Sequence, residues 1–288
     1  GGITQINLII GQIIASAQDG AIAVLSYADR IYQLPLGVIG IAIGIVLLPE
    51  LSRALKSASQ SPEHAESDNV HSLQNQSLEF AMALTLPAAV GLALLPDAII
   101  NVIYERGAFT ADITALTADV LYAFAWGLPA FVLIKVFTPA FFAREDMRTP
   151  MWFAGVSVVV NIAGSLWLFP HYGPVGIAIA TAVASWVNAI ALATTLARRS
   201  MLSVLPSTLR RLMLIVFASA IMALSLLGLS AALSEWFTAP TLIVRAGTLG
   251  ASIAIAASVF FATALATGAI DRNAITSAIV RSSKPRPD

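Results

Sequence analysis

The sequence has 288 residues, of which 58% are hydrophobic and 11% are charged. An ordinary soluble domain carries about 25% charged residues, so lipid is the expected solvent for most of this surface. Zero net charge excludes a nucleic-acid binder that relies on a broad basic face. With no cysteine and three scattered histidines, the chain offers no disulfide, no thiolate metal site and no clustered histidine ligands.

Eight segments are long and apolar enough, or nearly so, to cross a bilayer. A membrane helix needs about 20 mostly apolar residues, because lipid cannot satisfy backbone N–H and C=O groups. The pattern predicts an all-α, polytopic membrane helix bundle with transmembrane helices over residues 3–17, 31–51, 76–95, 115–142, 151–169, 175–196, 212–233 and 242–267. The first is short and carries Gln5, Asn7 and Gln12, which indicates either a segment clipped at its start or a helix lining a water-filled cavity. Since the chain begins with Gly1 rather than Met, we expect a truncated start.

Basic residues follow every second span, and this alternation predicts the orientation. Short cytoplasmic loops retain positive charge during insertion, so we expect these loops and the C-terminus in the cytoplasm. A polar stretch near 56–74 is expected to be a mobile cytoplasmic loop, and the tail over 271–288 to be frayed. Arg30, Arg106, Lys135 and Arg245 break the alternation. The twelve residues that obey it are Arg53, Lys56, Arg144, Arg148, Arg198, Arg199, Arg210, Arg211, Arg272, Arg281, Lys284 and Arg286.

Arg30 lies directly before a Gly-rich apolar run, on the side where positive charge is disfavoured. An arginine inside a span costs roughly 2.5–3.5 kcal/mol on insertion scales, so it needs a partner or an anionic ligand. The planar guanidinium fork suits phosphate oxygens. An interfacial arginine that extends outward beside Tyr27 and Tyr32 explains the same position, and the spacing by itself favours this second interpretation slightly.

Four further polar residues lie inside predicted spans. Lys135 is central in the fourth span and is expected to face the bundle interior, either as a cavity cation for an anionic substrate or as a buried lysine neutralised by its surroundings. Asn161, Ser165 and Thr181 offer oxygen atoms on the fifth and sixth spans. Interhelical hydrogen bonding is the default expectation for them, and a cation site is the alternative.

Gly37, Gly40 and Gly44 are spaced three and four residues apart, which predicts that another helix backbone approaches closely. Static packing is favoured over a moving hinge. In the loop after residue 104, Glu105 and Arg106 are expected to form an internally compensated pair of charges.

Catalytic motifs such as H-E-x-x-H, G-x-S-x-G or a phosphate-binding loop are absent from the sequence. No catalytic residue is therefore assigned, and the chain is not expected to be an enzyme.

Three motifs resemble the MurJ/MviN family of lipid II flippases in peptidoglycan synthesis. They are SYADRIYQLP over 26–35 with the Gly-rich run to residue 49, YERGAFT over 104–110, and FAREDMRTP over 142–150. The resemblance extends over nearly the whole chain. It implies a fourteen-helix fold with two lobes and a final pair, of which this chain holds the last eight helices. These would be a six-helix lobe over 1–199, two further helices over 200–270 that form a groove for the lipid tail, and a cytoplasmic tail over 271–288.

The resemblance also implies a function. The expected activity is transfer of lipid II, an undecaprenyl-pyrophosphate-linked precursor, from the cytoplasmic to the periplasmic leaflet of the bacterial inner membrane by alternating access. The expected partners are lipid II, membrane lipid and the missing N-terminal lobe, without nucleic acid, and the complete protein is expected to be monomeric. The alternative is another exporter of the same (MOP) superfamily, which moves lipid-linked oligosaccharides or drugs.

Two site assignments follow from the resemblance. Arg30 matches an essential arginine that faces the central cavity and is thought to engage the substrate pyrophosphate. Asn161 and Thr181 match a sodium site of some members, but Gly11 and Ser165 stand where such members place acids. Sodium coupling and a resident cofactor are therefore not expected, and the energy source, including the membrane potential, stays open. Because the other cavity arginines of the family lie on the first lobe, the chain alone should not transport.

Overall fold

The computed structural model describes residues 2–42, 64–142, 144–199 and 202–270, and all regular structure in these ranges is helical. Every described predicted span coincides with a helix, so the all-α prediction is confirmed. The helices are α1 (Gly2–Ala15), α2 (Ala21–Ala42), α3 (His64–Leu94), α4 (Pro96–Tyr104), α5 (Ala111–Phe142), α6 (Arg148–Tyr172), α7 (Pro174–Arg198), α8 (Pro206–Ala232), α9 (Ser234–Phe237) and α10 (Leu242–Thr267).

Six of these helices are long and apolar enough to cross a membrane: α3 (over Ser72–Leu94), α5, α6, α7, α8 and α10. The expectation of eight spans also included α1 and α2. Within the described ranges α1 has 14 residues, and α2 has 22 residues that include Asp29, Arg30 and Gln33. The structure therefore defines a membrane helix bundle with six candidate spans.

Helix α5 forms the centre of the bundle and packs against α2, α3, α4 and α7. Small residues allow α7 to approach its neighbours closely. A Cβ atom placed on Gly127 of α5 would lie 3.1 Å from the Cα atom of Ala182, and one on Gly164 of α6 would lie 3.0 Å from the Cβ atom of Ala180. Helix α8 packs on α3 and α10, and α1 packs on α6.

Two helix boundaries differ from the sequence-based expectation. Helix α2 begins at Ala21, ten residues before the predicted start, because a hydropathy window discounts the polar first turns that contain Arg30. Helix α3 begins at His64, so the second half of the loop predicted over 56–74 is helical. Gln74 of this stretch and the following Asn75 are 5% and 2% exposed, which shows that polar residues here contribute to the interior. The first half of the predicted loop and the predicted tail over 271–288 lie outside the described residues.

Contacts between connecting segments show that the helices alternate in direction. At one end, Arg199 after α7 forms an ion pair with Asp146 between α5 and α6, at 2.6 Å. At the other end, Arg245 at the start of α10 lies 3.7 Å from Glu105, which follows α4. The first end also carries Arg144, Arg148, Arg198, Arg210 and Arg211 and is called the arginine-rich end; the second is called the opposite end.

Candidate functional site

Arg30 is the tenth residue of α2, about 14 Å along the axis from the first residue of that helix. Its side chain is exposed, and within the described ranges it forms no hydrogen bond and no ion pair. The neighbouring Asp29 accepts a hydrogen bond from the side-chain amide of Gln33 instead. The helix thus carries an unpaired guanidinium well inside its length, whereas the sequence pattern had placed Arg30 before the span.

Helix α2 has one buried face and one exposed face. Tyr32 on the buried face packs between Phe124 and Phe131 of α5, with ring centroids 5.4 Å and 5.6 Å away. Arg30 lies on the exposed face with Gln33 and Gly37, at the three- and four-residue spacing that aligns side chains on a helix. The exposed face is therefore partly polar, which is unusual for a surface that meets only lipid.

Lys135 of α5 approaches the same side of α2. Its side chain is exposed, and its Nζ atom would lie 3.0 Å from a Cβ atom on Gly40. Asp29, Gln33, Gly37 and Gly40 follow one another at intervals of four, four and three residues and form one stripe along α2. We call these four residues and Lys135 the polar stripe. Because Gly40 has no side chain, the ammonium group of Lys135 can lie next to α2 at the polar stripe.

The glycine run therefore does not pack as expected. Nothing lies within 4 Å of a Cβ atom placed on Gly37, so no described helix backbone approaches it closely. Gly40 faces a lysine side chain rather than a helix backbone. Gly44 lies outside the described residues. Spacing predicted the shared face of these glycines but could not show what occupies that face.

Two of the three sequence motifs meet at the opposite end. Tyr27, three residues before Arg30, has its ring centroid 4.8 Å from that of Tyr104 and 5.3 Å from that of Phe109. Gly107 has a φ angle of 61°, which lets the loop turn back so that Phe109 reaches Tyr104 at 5.7 Å. The loop 105–110 therefore supports the outer turns of α2 next to Arg30.

The expected pairing of Glu105 with Arg106 is wrong. Glu105 lies 3.7 Å from Arg245, which also donates a 2.7 Å hydrogen bond to Asn101, while Arg106 is exposed. Arg245 is distant in sequence, so local spacing could not identify it. This contact explains one of the four basic residues that break the charge alternation.

Asn161, Ser165 and Thr181 come together between α6 and α7. The Thr181 hydroxyl lies 2.8 Å from the Ile177 carbonyl of its own helix and 3.2 Å from Asn161 Oδ1, so these two acceptors share its one proton, and the Ser165 hydroxyl donates to Asn161 Oδ1 at 3.4 Å. Asn161 and Ser165 are 4% and 1% exposed. A Cβ atom on Gly11 of α1 would lie 3.9 Å from Ile177, one turn before Thr181. The contact between Thr181 and Asn161 is the interhelical hydrogen bonding expected by default, whereas Ser165 bonds within its own helix. We call these three residues the interface cluster.

The third motif organises the arginine-rich end. Asp146 accepts hydrogen bonds from the Thr149 backbone and hydroxyl at 3.0 and 2.7 Å, which closes the first turn of α6, and it also pairs with Arg199. These hydrogen bonds, from Thr149 first and then from Arg199, lower the pKa of Asp146 to about 2. The local Asp-x-x-Thr spacing is the signal that could have identified this cap.

These features define a class of protein: a polytopic helical membrane protein in which one helix of the bundle carries a polar stripe and a cation that has no partner among the described residues. The family model that describes the lipid II flippase MurJ matches residues 1–247. The chain therefore belongs to the MurJ family.

Individual relatives agree with this assignment. The chain is 50% identical to "Probable lipid II flippase MurJ" of Rhizobium tropici, over 94% of this chain and 50% of that protein. It is 46% identical to the protein of the same name from Rhizobium meliloti, over 98% of this chain and 51% of that protein. The chain thus spans about half the length of the curated relatives it matches. A solved structure, "Lipid II flippase MurJ, inward closed conformation", has the same fold, with a TM-score of 0.67 and 24% identity over 90% of this chain and 51% of that chain.

Proposed function

We propose that this chain is part of a transporter, not an enzyme, that moves lipid II from the cytoplasmic to the periplasmic leaflet. Membership of the MurJ family and the names of the relatives support this assignment. The single structural observation that carries it is the unpaired guanidinium of Arg30 on an exposed, partly polar helix face. A charge in that position is unfavourable against lipid and favourable against a pyrophosphate in a hydrated cavity.

The chemistry of the substrate fits this face. The polyprenyl tail of lipid II can stay in the bilayer, whereas its pyrophosphate and sugars need a polar route. In our proposal Arg30 holds the pyrophosphate, and Lys135 adds a second cation at the polar stripe. Arg30 and Gly40, which contacts Lys135, are ten residues apart, or about 15 Å along α2. The two cations would therefore act at different depths as the cavity opens to one side and then to the other.

The proposal includes a membrane arrangement. We propose eight spans in the complete fold, with a six-helix lobe over 1–199, a final pair over 200–270 that contacts the lipid tail, and a tail over 271–288. The arginine-rich end faces the cytoplasm of a bacterial inner membrane, because positive loops are retained there. The C-terminus then lies in the cytoplasm. A second lobe, not contained in this chain, faces α2 and completes a monomeric transporter.

We also propose that no sodium ion binds at the interface cluster. Asn161 Oδ1 already accepts hydroxyl hydrogens from Ser165 and Thr181, and Gly11 and Ser165 supply no carboxylate. Hard cations in proteins prefer oxygen ligands that include carboxylates. Transport rates should therefore be equal in sodium and potassium buffers of equal ionic strength, and a sodium-dependent rate would contradict this part of the proposal.

The central experiment compares Arg30→Ala with Arg210→Ala in the complete protein. Arg210 is an exposed arginine at the arginine-rich end and is a matched control for loss of one positive charge. Both variants are reconstituted in vesicles, and translocation of labelled lipid II is measured. We expect transport to be lost in Arg30→Ala and retained in Arg210→Ala. Normal transport by a folded Arg30→Ala variant would refute the assigned role. Faster transport of a lipid-linked oligosaccharide than of lipid II would favour the alternative substrate class.

A second experiment tests whether the exposed face of α2 is wet. The chain has no cysteine, so single cysteines can be introduced at Gly37 and, as a control, at Val159, an exposed position on α6. In a complete protein free of other cysteines, a membrane-impermeant thiol reagent should label Gly37→Cys and not Val159→Cys. Equal protection of both positions would show that the α2 face contacts lipid, and Arg30 would then lack a hydrated cavity.

A further inference from the structure

Helices α8 and α10 are joined to the helices that carry the candidate site by one continuous buried cluster. Helix α8 packs on α3 and α10, and α10 also contacts α4. Ile215 of α8 and Phe260 of α10, both 0% exposed, belong to the same apolar cluster as Ala28 of α2 and Leu121 of α5. The final pair therefore shares its core with the helix of Arg30.

A polar contact holds the pair at the arginine-rich end. Asn75 of α3 donates to the Ser203 carbonyl at 2.8 Å, and its side-chain oxygen accepts from the Leu205 backbone at 3.4 Å, so it holds the segment that leads into α8. One turn further along α3, Glu79 accepts a 2.9 Å hydrogen bond from Arg211. The Glu79 side chain is 13% exposed and the Arg211 side chain is 37% exposed, so this ion pair is partly shielded from solvent. We call these contacts the inner clamp.

A second contact holds the pair at the opposite end. Arg245, in the first turn of α10, donates to Asn101 of α4 and pairs with Glu105, and its side chain is 17% exposed. Glu105 adjoins Tyr104, whose ring contacts Tyr27 of α2. We call the contacts of Arg245 the outer clamp. Through one loop, it connects α10 to the turn of α2 that precedes Arg30.

We propose that the two clamps make α8 and α10 move with Arg30 as one body during transport. The residues of the clamps are positioning residues, which act by holding the final pair at a fixed distance from Arg30. A lipid tail on the pair and a pyrophosphate at Arg30 would then be carried together. This inference rests on the proposed function, since it assigns a role to the pair in moving the same lipid.

Cross-linking tests the inference directly, because the chain contains no cysteine of its own. In the complete protein without other cysteines, Glu79→Cys with Arg211→Cys bridges the inner clamp, and Asn101→Cys with Arg245→Cys bridges the outer clamp. A short, cleavable bifunctional thiol reagent closes each bridge. We expect the bridged protein to translocate lipid II at least as fast as the same protein after cleavage. A bridge that arrests transport, with recovery on cleavage, would overturn the inference.

Charge exchange provides a second test that does not need a bridge. Glu79→Arg should raise the KM for lipid II, and adding Arg211→Glu should restore it, while Arg210→Ala leaves it unchanged. An analogue with a short polyprenyl tail should show no change in KM in any of these variants. Equal effects on long-tailed and short-tailed substrates would overturn the positioning role. If the unsubstituted protein does not translocate lipid II, the proposed function fails, which is a different result from an arrest by the bridge.

Discussion

The exposed face of α2 and the interface between α6 and α7 both carry polar groups in a largely apolar bundle, but the partners of those groups differ. At the interface, Asn161 accepts hydrogen bonds from Ser165 and Thr181, so the polar groups satisfy one another. On α2, Arg30 has no partner among the described residues. Satisfied buried groups stabilise one arrangement of helices, whereas an unpaired charge remains available to a ligand. Polarity within a membrane helix therefore indicates a binding role only where the structure leaves the group without a partner.

The largest expected effect comes from the charge and shape of residue 30. Arg30→Gln should lower the rate of lipid II translocation roughly 30-fold or more, because the proposed charge partner of the pyrophosphate is removed. Arg30→Lys should fall between Arg30→Gln and the unsubstituted protein, since lysine keeps the charge and loses the bidentate fork. Initial rates in vesicles measure both. A fully active lysine variant would show that the fork is not engaged.

Alanine substitutions at two glycines, one at each of these regions, test the comparison through the free energy of unfolding. A Cβ atom on Gly176 would lie 2.7 Å from the Leu168 carbonyl carbon at the α6–α7 interface, whereas one on Gly37 meets nothing within 4 Å. Gly176→Ala should lower the free energy of unfolding by roughly 1–3 kcal/mol, because the backbone of α6 must shift. Gly37→Ala should be neutral or stabilising, because alanine favours the helix. Thermal unfolding in detergent distinguishes them, and a destabilised Gly37→Ala would indicate an unrecognised neighbour.

Lys135 provides a smaller test of the polar stripe. Lys135→Met keeps the length of the side chain and removes its charge, and it should lower translocation about tenfold, as for loss of one hydrogen bond to a charged group. Stability should change little, because no described residue pairs with the ammonium group. Rates that match the unsubstituted protein would restrict the substrate contact to Arg30.

The interface cluster should affect stability and not substrate recognition. Thr181→Val should lower the free energy of unfolding by about 1 kcal/mol, because the hydroxyl that Asn161 and the Ile177 carbonyl share is lost. Thr194 lies on the same helix, is exposed and bonds only to the backbone of its own helix, so Thr194→Val is the control and should be close to neutral. Unfolding in detergent measures both. A raised KM for lipid II in folded Thr181→Val would place the cluster in the transport site instead.

The smallest expected effect concerns Asp146, at the arginine-rich end. Its pKa of about 2 is below that of the unfolded chain, so the carboxylate stabilises the fold above pH 4, and this stabilisation is lost as the pH falls toward 2. The stability difference between the unsubstituted protein and Asp146→Asn should therefore be constant from pH 5 to 8 and should shrink below pH 4. Unfolding measured across this range tests the prediction, and a difference that grows on acidification would contradict it.

Much of this fold was predictable because membrane helices are specified by local hydrophobicity. The ends of α5, α6 and α7 were predicted to within four residues and both ends of α10 at the correct residues, whereas α8 begins six residues before its predicted start. The start of α2 was missed by ten residues, because charged and polar residues near Arg30 lower the local hydropathy although they continue the helix. Helix α4 was missed because its nine residues, the first of which is a proline, give too little periodic pattern.

The sequence predicted which residues belong to the candidate site but could not predict which residues contact one another. Arg30 lies on the side of the predicted membrane where basic residues are otherwise rare, and this departure from the charge alternation indicates a functional role from the sequence alone. The pairing of Arg245 with Glu105, of Arg199 with Asp146 and of Arg211 with Glu79 joins residues that are far apart in the chain. No spacing rule reaches over such separations, so the sequence could not distinguish these paired arginines from Arg30, which has no partner among the described residues.

By itself the sequence determined the lipid environment, the helical class, the alternation of charged ends and the family resemblance, because each depends on composition or on short runs of residues. Only the tertiary structure decided which polar groups satisfy one another, that Gly37 is open while Gly176 is packed, and that the final pair shares a buried apolar cluster with the helix of Arg30. The physical reason is that hydrogen bonds, ion pairs and close packing act over a few ångströms in space, whatever the distance along the chain.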